Sequence, residues 1–142
     1  MEHYLIVANQ TAAGPALKRA VKEHMRQGPC TFTLVVPATH PRDHATWTEG
    51  IARELAKQRM CDALESLRVA NAKITGWVGD EDPYLAISDA LRAGRYDGVI
   101  LSTFPKATSR WARMDVGSRI ERDFGIRVEI VEAERIDVRT GA

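Results

Sequence analysis

The chain has little that would hold it together covalently. Only two cysteines occur in 142 residues, Cys30 and Cys61, far apart and without a C-x-x-C pair or zinc-type spacing. That excludes a disulfide framework and a thiolate zinc centre, and it predicts two buried, reduced thiols. Long apolar runs are missing as well: none approaches the roughly 20 residues that a membrane span requires. The opening Met1-Glu2-His3-Tyr4 lacks the basic stretch and apolar run of a signal peptide. Nor is there an excess of charge of one sign. A formal net charge of +1 argues against broad electrostatic binding to nucleic acid or membrane. The expected setting is the cytoplasm, with no nucleic acid and no membrane as partner.

What is present suits one domain. A hydrophobic fraction of 44% with 27% charged residues is ordinary for a globular protein. A chain of this length buries roughly 68% of the surface it exposes when unfolded, enough for a core without metal or disulfide. The expected division is a domain over residues 1–131 and a charged tail over 132–142, the tail partly disordered.

Strand and helix signals alternate along the chain. Tyr4 to Ala8 is a short continuous apolar run, as parallel sheets buried on both faces produce. Gly14-Pro15 opens a helix and Gly28-Pro29 ends it, with Leu17, Ala20, Val21, His24 and Met25 at helical spacing. Cys30 to Ala38 reads as a second strand. A longer helix follows, with Trp47, Ile51, Leu55, Met60, Ala63, Leu64 and Leu67 as its apolar stripe. Lys73 to Val78 is the third strand, and Asp82-Pro83 starts a helix that Gly94 stops. Asp97 to Ser102 is the fourth strand. After a twelve-residue loop, Asp115 to Phe124 forms the last helix, with Val116, Ile120 and Phe124 on one face. Ile126, Val128 and Ile130 alternate with Arg127 and Glu129, the pattern of an edge strand. This β-α order predicts a five-stranded, parallel, doubly wound sheet of the Rossmann-like kind, with helices on both faces. Ligands of such sheets bind beyond the carboxyl ends of the strands, where strand order reverses.

The stretch from Ser102 to Ser118 carries the clearest chemistry. Lys106, Arg110 and Arg113 occur there without an acid until Asp115, among four hydroxyl side chains. The stretch leads into a helix N-terminus, where free amides and the helix dipole favour an anion. A phosphate-bearing ligand would gain charge-assisted hydrogen bonds. The competing reading is a solvated basic loop, with Trp111 and Met114 packed down over the sheet. Trp111 reads as a packing anchor rather than a stacking ring. Asp115 as a plain helix cap and Asn9 as a satisfied turn residue are the structural alternatives for those positions.

Over residues 3 to 131 the order of elements resembles the universal stress protein family, five-stranded α/β domains that often bind ATP and share the adenine nucleotide alpha hydrolase-like fold. The family's first strand typically ends Val-Asp-Gly-Ser; here the string is Ala8-Asn9-Gln10-Thr11. The family's loop after strand four runs Gly-x-x-Gly, nine residues, then Gly-Ser or Gly-Thr. The closing pair is retained as Gly117-Ser118, while the two earlier glycines fall on Ser102 and Pro105 and the spacer is two residues longer. The resemblance implies Asn9 and Val36 on the base and ribose side of a nucleotide, with Ser102, Thr103, Arg110, Gly117 and Ser118 around its phosphates. Losing two donors worth about 1.5–3 kcal/mol each lowers affinity by roughly two to four orders of magnitude. Arginines 110 and 113 offset part of this by pairing directly with phosphate. The expectation is weak binding of ATP or another phosphate compound, with no cofactor required, in a stress or regulatory role. The resemblance also implies a homodimer through the edge strand Ile126–Ile130. A nucleotide-free homodimeric scaffold shares that surface and is the alternative function.

Other classes find less support. His40 and His44 flank Pro41-Arg42-Asp43, which breaks helical spacing and adds positive charge, so no metal site is expected. Gly79-Asp80-Glu81-Asp82 places an acid after strand three, as a phosphoacceptor receiver domain does. That chemistry needs acids after strand one to hold magnesium, and Asn9-Gln10 stand there. The His-x-Gly-His and Ser-Gly-Gly strings of nucleotidyl-transfer folds do not occur. No catalytic residue is expected, and the chain is read as a non-enzyme.

Overall fold

Alternation along the central strand sets the two layers of the molecule. We describe the protein from a computed structural model, over residues 1–39, 49–104, 111 and 115–133. In β1 (Glu2–Val7), Leu5 and Val7 point to one face of the sheet while Ile6, with Ala8 just beyond, points to the other. All four are fully buried, as expected of a strand covered on both sides. The remaining strands are β2 (Cys30–Pro37), β3 (Ile74–Gly79), β4 (Gly98–Thr103) and β5 (Val128–Glu132). The helices are α1 (Pro15–Gln27), α2 (Glu49–Val69), α3 (Pro83–Ala93) and α4 (Val116–Phe124).

All pairings are parallel, and the sheet order is β3-β2-β1-β4-β5. Val7 aligns with Val35 on one side and Leu101 on the other, so the strand ends form a common carboxyl edge. Leu17 and Val21 of α1 and Ala63, Leu64 and Leu67 of α2 cover one face. Ala86, Ile87 and Ala90 of α3 and Val116 and Ile120 of α4 cover the other. The five-stranded, parallel, doubly wound architecture stands as expected, and no described helix is long and apolar enough to cross a membrane.

Helix ends follow the local chemistry. Asp82 caps α3, its carboxylate accepting from the Tyr84 amide at 2.9 Å, and Pro83 takes the first helical position. Gly125 closes α4 at φ 63°, a left-handed conformation glycine adopts without a Cβ clash.

Three expectations are corrected. The buried stripe of α2 departs from expectation only in its first half: Ile51 is exposed and Leu55 half-buried, while Ala52 and Ala56 are enclosed; Ala63, Leu64 and Leu67 are buried as expected. Small side chains let the helix axis lie close to its neighbours, which hydropathy alone does not weigh. Cys61 lies on the exposed outer side of α2, and only Cys30 is partly enclosed. Burial raises the Cys30 thiol above its ordinary range. The edge strand begins at Val128, two residues later than expected, and its enclosed residue is Val131, with Ile130 half exposed. Trp47, His40, His44, Pro105, Lys106, Arg110, Arg113, Met114 and residues 134–142 lie outside the described residues.

Candidate functional site

The reversal of strand order falls between β1 and β4. The crossover from β1 runs through α1 to β2, and the chain later returns to the other side of β1 as β4. Beyond this point Asn9 and Thr11 follow β1, Ser102 and Thr103 end β4, and the α4 N-terminus supplies Gly117 and Ser118.

Thr11 and Ser102 tie the two loops together, their hydroxyl oxygens 2.6 Å apart and both enclosed. The neighbouring Thr103 is only 4% exposed, yet its Oγ1 has no hydrogen-bond partner among the described residues. A buried hydroxyl without a partner costs about 1–3 kcal/mol, so an acceptor or donor reaching it would be favoured.

Asn9 is held at both ends of its amide. Its Nδ2 donates to the Pro37 carbonyl at 2.5 Å, and its Oδ1 accepts from Nη1 of Arg59. Its backbone carbonyl accepts from the Ala12 amide at 3.2 Å, closing the turn after β1. Asn9 thereby joins the ends of β1 and β2 to α2. Val36 is fully buried among the residues under α1 and α2, with its side chain inside the core.

The entrance to α4 carries an acid that does not cap it. Asp115 sits at φ 55° and ψ 41°, a left-handed conformation that short polar side chains tolerate, and its carboxylate makes no capping bond. No acid occupies the first helical turn, so the leading amides keep their preference for an anion. Ser118 is exposed and Gly117 half-buried. A Cβ on Gly117 would lie 3.1 Å from the Ile130 δ-methyl and 3.5 Å from Val128. Packing of α4 against β5 is therefore one physical reason for glycine here, independent of any ligand.

Trp111 is 8% exposed and packs with Leu5, Val7, Val35 and Ile87. It anchors the β4–α4 connection to the core. Arg110, the remaining expected phosphate contact, lies outside the described residues, as do Lys106 and Arg113.

Arg59 is the residue that sequence reasoning missed. Burial pulls its guanidinium below the ordinary range, and no described carboxylate pairs with it. The signal lay in spacing: Ala52, Ala56, Arg59 and Ala63 recur at i, i+4, i+7 and i+11, which puts an arginine on the enclosed face. No group of three or more potential metal ligands occurs among the described residues.

An open cavity of about 430 Å³ lies at the opposite, amino edge of the sheet, lined by Leu91, Arg95, Tyr96, Phe124 and Arg127. The C-terminal ends of α3 and α4 border it through Gly94 and Gly125, so helix carbonyls face it rather than amides. Its position is remote from the loops of the switch point.

No protein-family model matches the chain, and no curated protein sequence matches it. Solved structures do. A universal stress protein from Archaeoglobus fulgidus superposes with a TM-score of 0.62 at 16% identity, covering 93% of this chain and 94% of that one. A protein of the universal stress protein family from Burkholderia pseudomallei gives 0.61 at 16% identity, over 93% and 96%. A universal stress protein in complex with cAMP gives 0.58 at 12% identity, over 94% and 98%. Strand order, helix placement and coverage agree, and the chain carries the universal stress protein fold over nearly all of its length.

Proposed function

We propose that this chain works as a universal stress protein: a non-catalytic domain that binds ATP or another phosphate-bearing ligand weakly, in a stress or regulatory role in the cytoplasm. The observation that carries the reading is an α4 N-terminus without a side-chain cap, together with the buried Thr103 hydroxyl at the end of β4, which has no partner among the described residues. Amides that the Asp115 side chain does not cap can meet phosphate oxygens, and Thr103 has no partner among the described residues. That one structural neighbour was solved with cAMP is consistent with a nucleotide in this fold. The ligand would sit across the loops of Asn9, Ser102 and Thr103, with its phosphates toward Gly117, Ser118 and Arg110.

Weakness follows from the loop's chemistry. Pro105 brings no amide donor, and Ser102 replaces a family glycine with a side chain already bonded to Thr11. Mass spectrometry of small molecules retained by gently purified protein tests the proposal. An adenine nucleotide or other phosphate compound in substoichiometric amount is expected; full occupancy by a ligand without phosphate would overturn it.

A second reading, a nucleotide-free homodimeric scaffold, is favoured by one observation. Asn9, Thr11 and Ser102 satisfy their polar atoms within the protein and so need no ligand. Both readings use the edge of β5 for dimerisation.

A further inference from the structure

We infer that Arg59 is a ligand-anchoring residue, its guanidinium taking an anionic group, carboxylate or phosphate, of the small molecule that enters the carboxyl edge between β1 and β2. The inference rests on the switch-point site proposed above and adds a second point of anion recognition to it, on the far side from α4.

The course of α2 places Arg59 there. Near its end, Arg68 donates to the Ile74 carbonyl at 2.9 Å, at the start of β3. Met60 packs beside Gly76 in the middle of β3. One residue earlier, Arg59 reaches Asn9, beyond the end of β1. The helix therefore descends from the carboxyl edge toward the amino edge. Arg59 thus lies alongside the sheet, and its long side chain reaches the carboxyl edge at Asn9.

Chemistry supplies the rest. A guanidinium has five N–H donors in a planar fork and holds its charge in any ordinary environment. Half-buried here, Arg59 has one described partner, the neutral Asn9 amide oxygen. No described carboxylate meets this charge, whose withdrawal from water is unfavourable, and its burial is the cause of its lowered affinity for protons. A purely structural arginine on this stripe would be replaced with advantage by alanine or leucine, as at Ala52, Ala56 and Ala63. An anion accepting from the guanidinium N–H groups that no described residue engages would supply a partner with the geometry that guanidinium favours. Asn9, held in place by the Pro37 carbonyl, fixes the orientation of that fork.

The test is a magnetic resonance titration of full-length protein with labelled arginine side chains, using inorganic pyrophosphate in one arm and succinate in the other. The expected result is a saturable shift of the Arg59 Nε–H signal and of the Asn9 side-chain amide in at least one arm. The responding arm identifies the group as phosphate or carboxylate. Arg59→Gln, folded by its amide spectrum, should bind at least about tenfold more weakly, and Arg59→Lys should fall between. If Gly117 and Ser118 respond while Arg59 and Asn9 do not, or Arg59→Gln binds like the wild type, the inference is overturned and the switch-point reading stands. If neither anion moves either group, both are overturned.

Discussion

At the scale of single residues, the structure makes its sharpest statements where a polar group is held by a specific partner. Tyr4 is one such group. Its phenol donates to the Glu2 carboxylate at 2.7 Å. That bond, followed by burial, raises its pKa from the ordinary 10.0 to about 12. The folded state thus holds the proton more tightly than the unfolded chain. The associated stability is fully present below about pH 10 and drains away as pH rises toward the folded value. An ultraviolet titration of the tyrosines should show a component near pH 12 that vanishes in Tyr4→Phe. Retention of that component in the variant would refute the assignment. Pairings of this kind were only partly legible beforehand. Asn9 was readable as either a turn residue or a ligand contact, because its two partners, Pro37 and Arg59, lie 28 and 50 residues away. Thr11 meets Ser102 across 91 residues, and no local pattern announces such a bond.

At the scale of elements, glycines report how closely helices and strands approach. Adding a Cβ to Gly76 would place it 2.7 Å from the Leu34 carbonyl oxygen on the paired strand. Backbone cannot yield there without disturbing the β2–β3 ladder, so Gly76→Ala should cost about 1–3 kcal/mol. At Gly117 the nearest atom is the terminal methyl of Ile130, which can shift, and alanine regains up to about 1 kcal/mol of helix propensity. Gly117→Ala should therefore stay within about 1 kcal/mol of the wild type. Urea unfolding of the two variants decides the matter, and equal losses would contradict the contrast. Element type was readable from the sequence because β1 and β4 are short apolar runs between turn residues and Asp82-Pro83 is an unambiguous helix start. The facing of α2 was not. Ile51 and Leu55 outrank alanine in hydropathy, yet Ala52 and Ala56 occupy the enclosed side in the first half of the helix. Arg59 was lost with that error of phase.

At the scale of the whole molecule, the sheet order leaves β5 with one unpaired side, and Ile130 of that strand is 50% exposed. We propose that a second copy covers this edge. Burying an isoleucine stabilises an interface by about 1.5–3 kcal/mol, so Ile130→Lys should weaken the dimer at least about tenfold. Light scattering across a dilution series would read this, and a wild type monomeric at all concentrations would refute it. The parallel sheet with helices on both faces followed from alternation of β and α segments alone, while the order of its strands came from the structure. Ligand chemistry could not be reached in that way, because it depends on which polar atoms the fold leaves without partners.

The account turns on a small anionic ligand meeting the protein at the carboxyl edge of β1 and β4. An amide-resolved titration with ATP and magnesium locates that encounter directly. Weak, saturable shifts confined to Asn9–Thr11, Ser102–Phe104 and Val116–Ser118 are expected. Shifts gathered instead around Arg95 and Arg127 at the amino edge, or none at millimolar nucleotide, would contradict it.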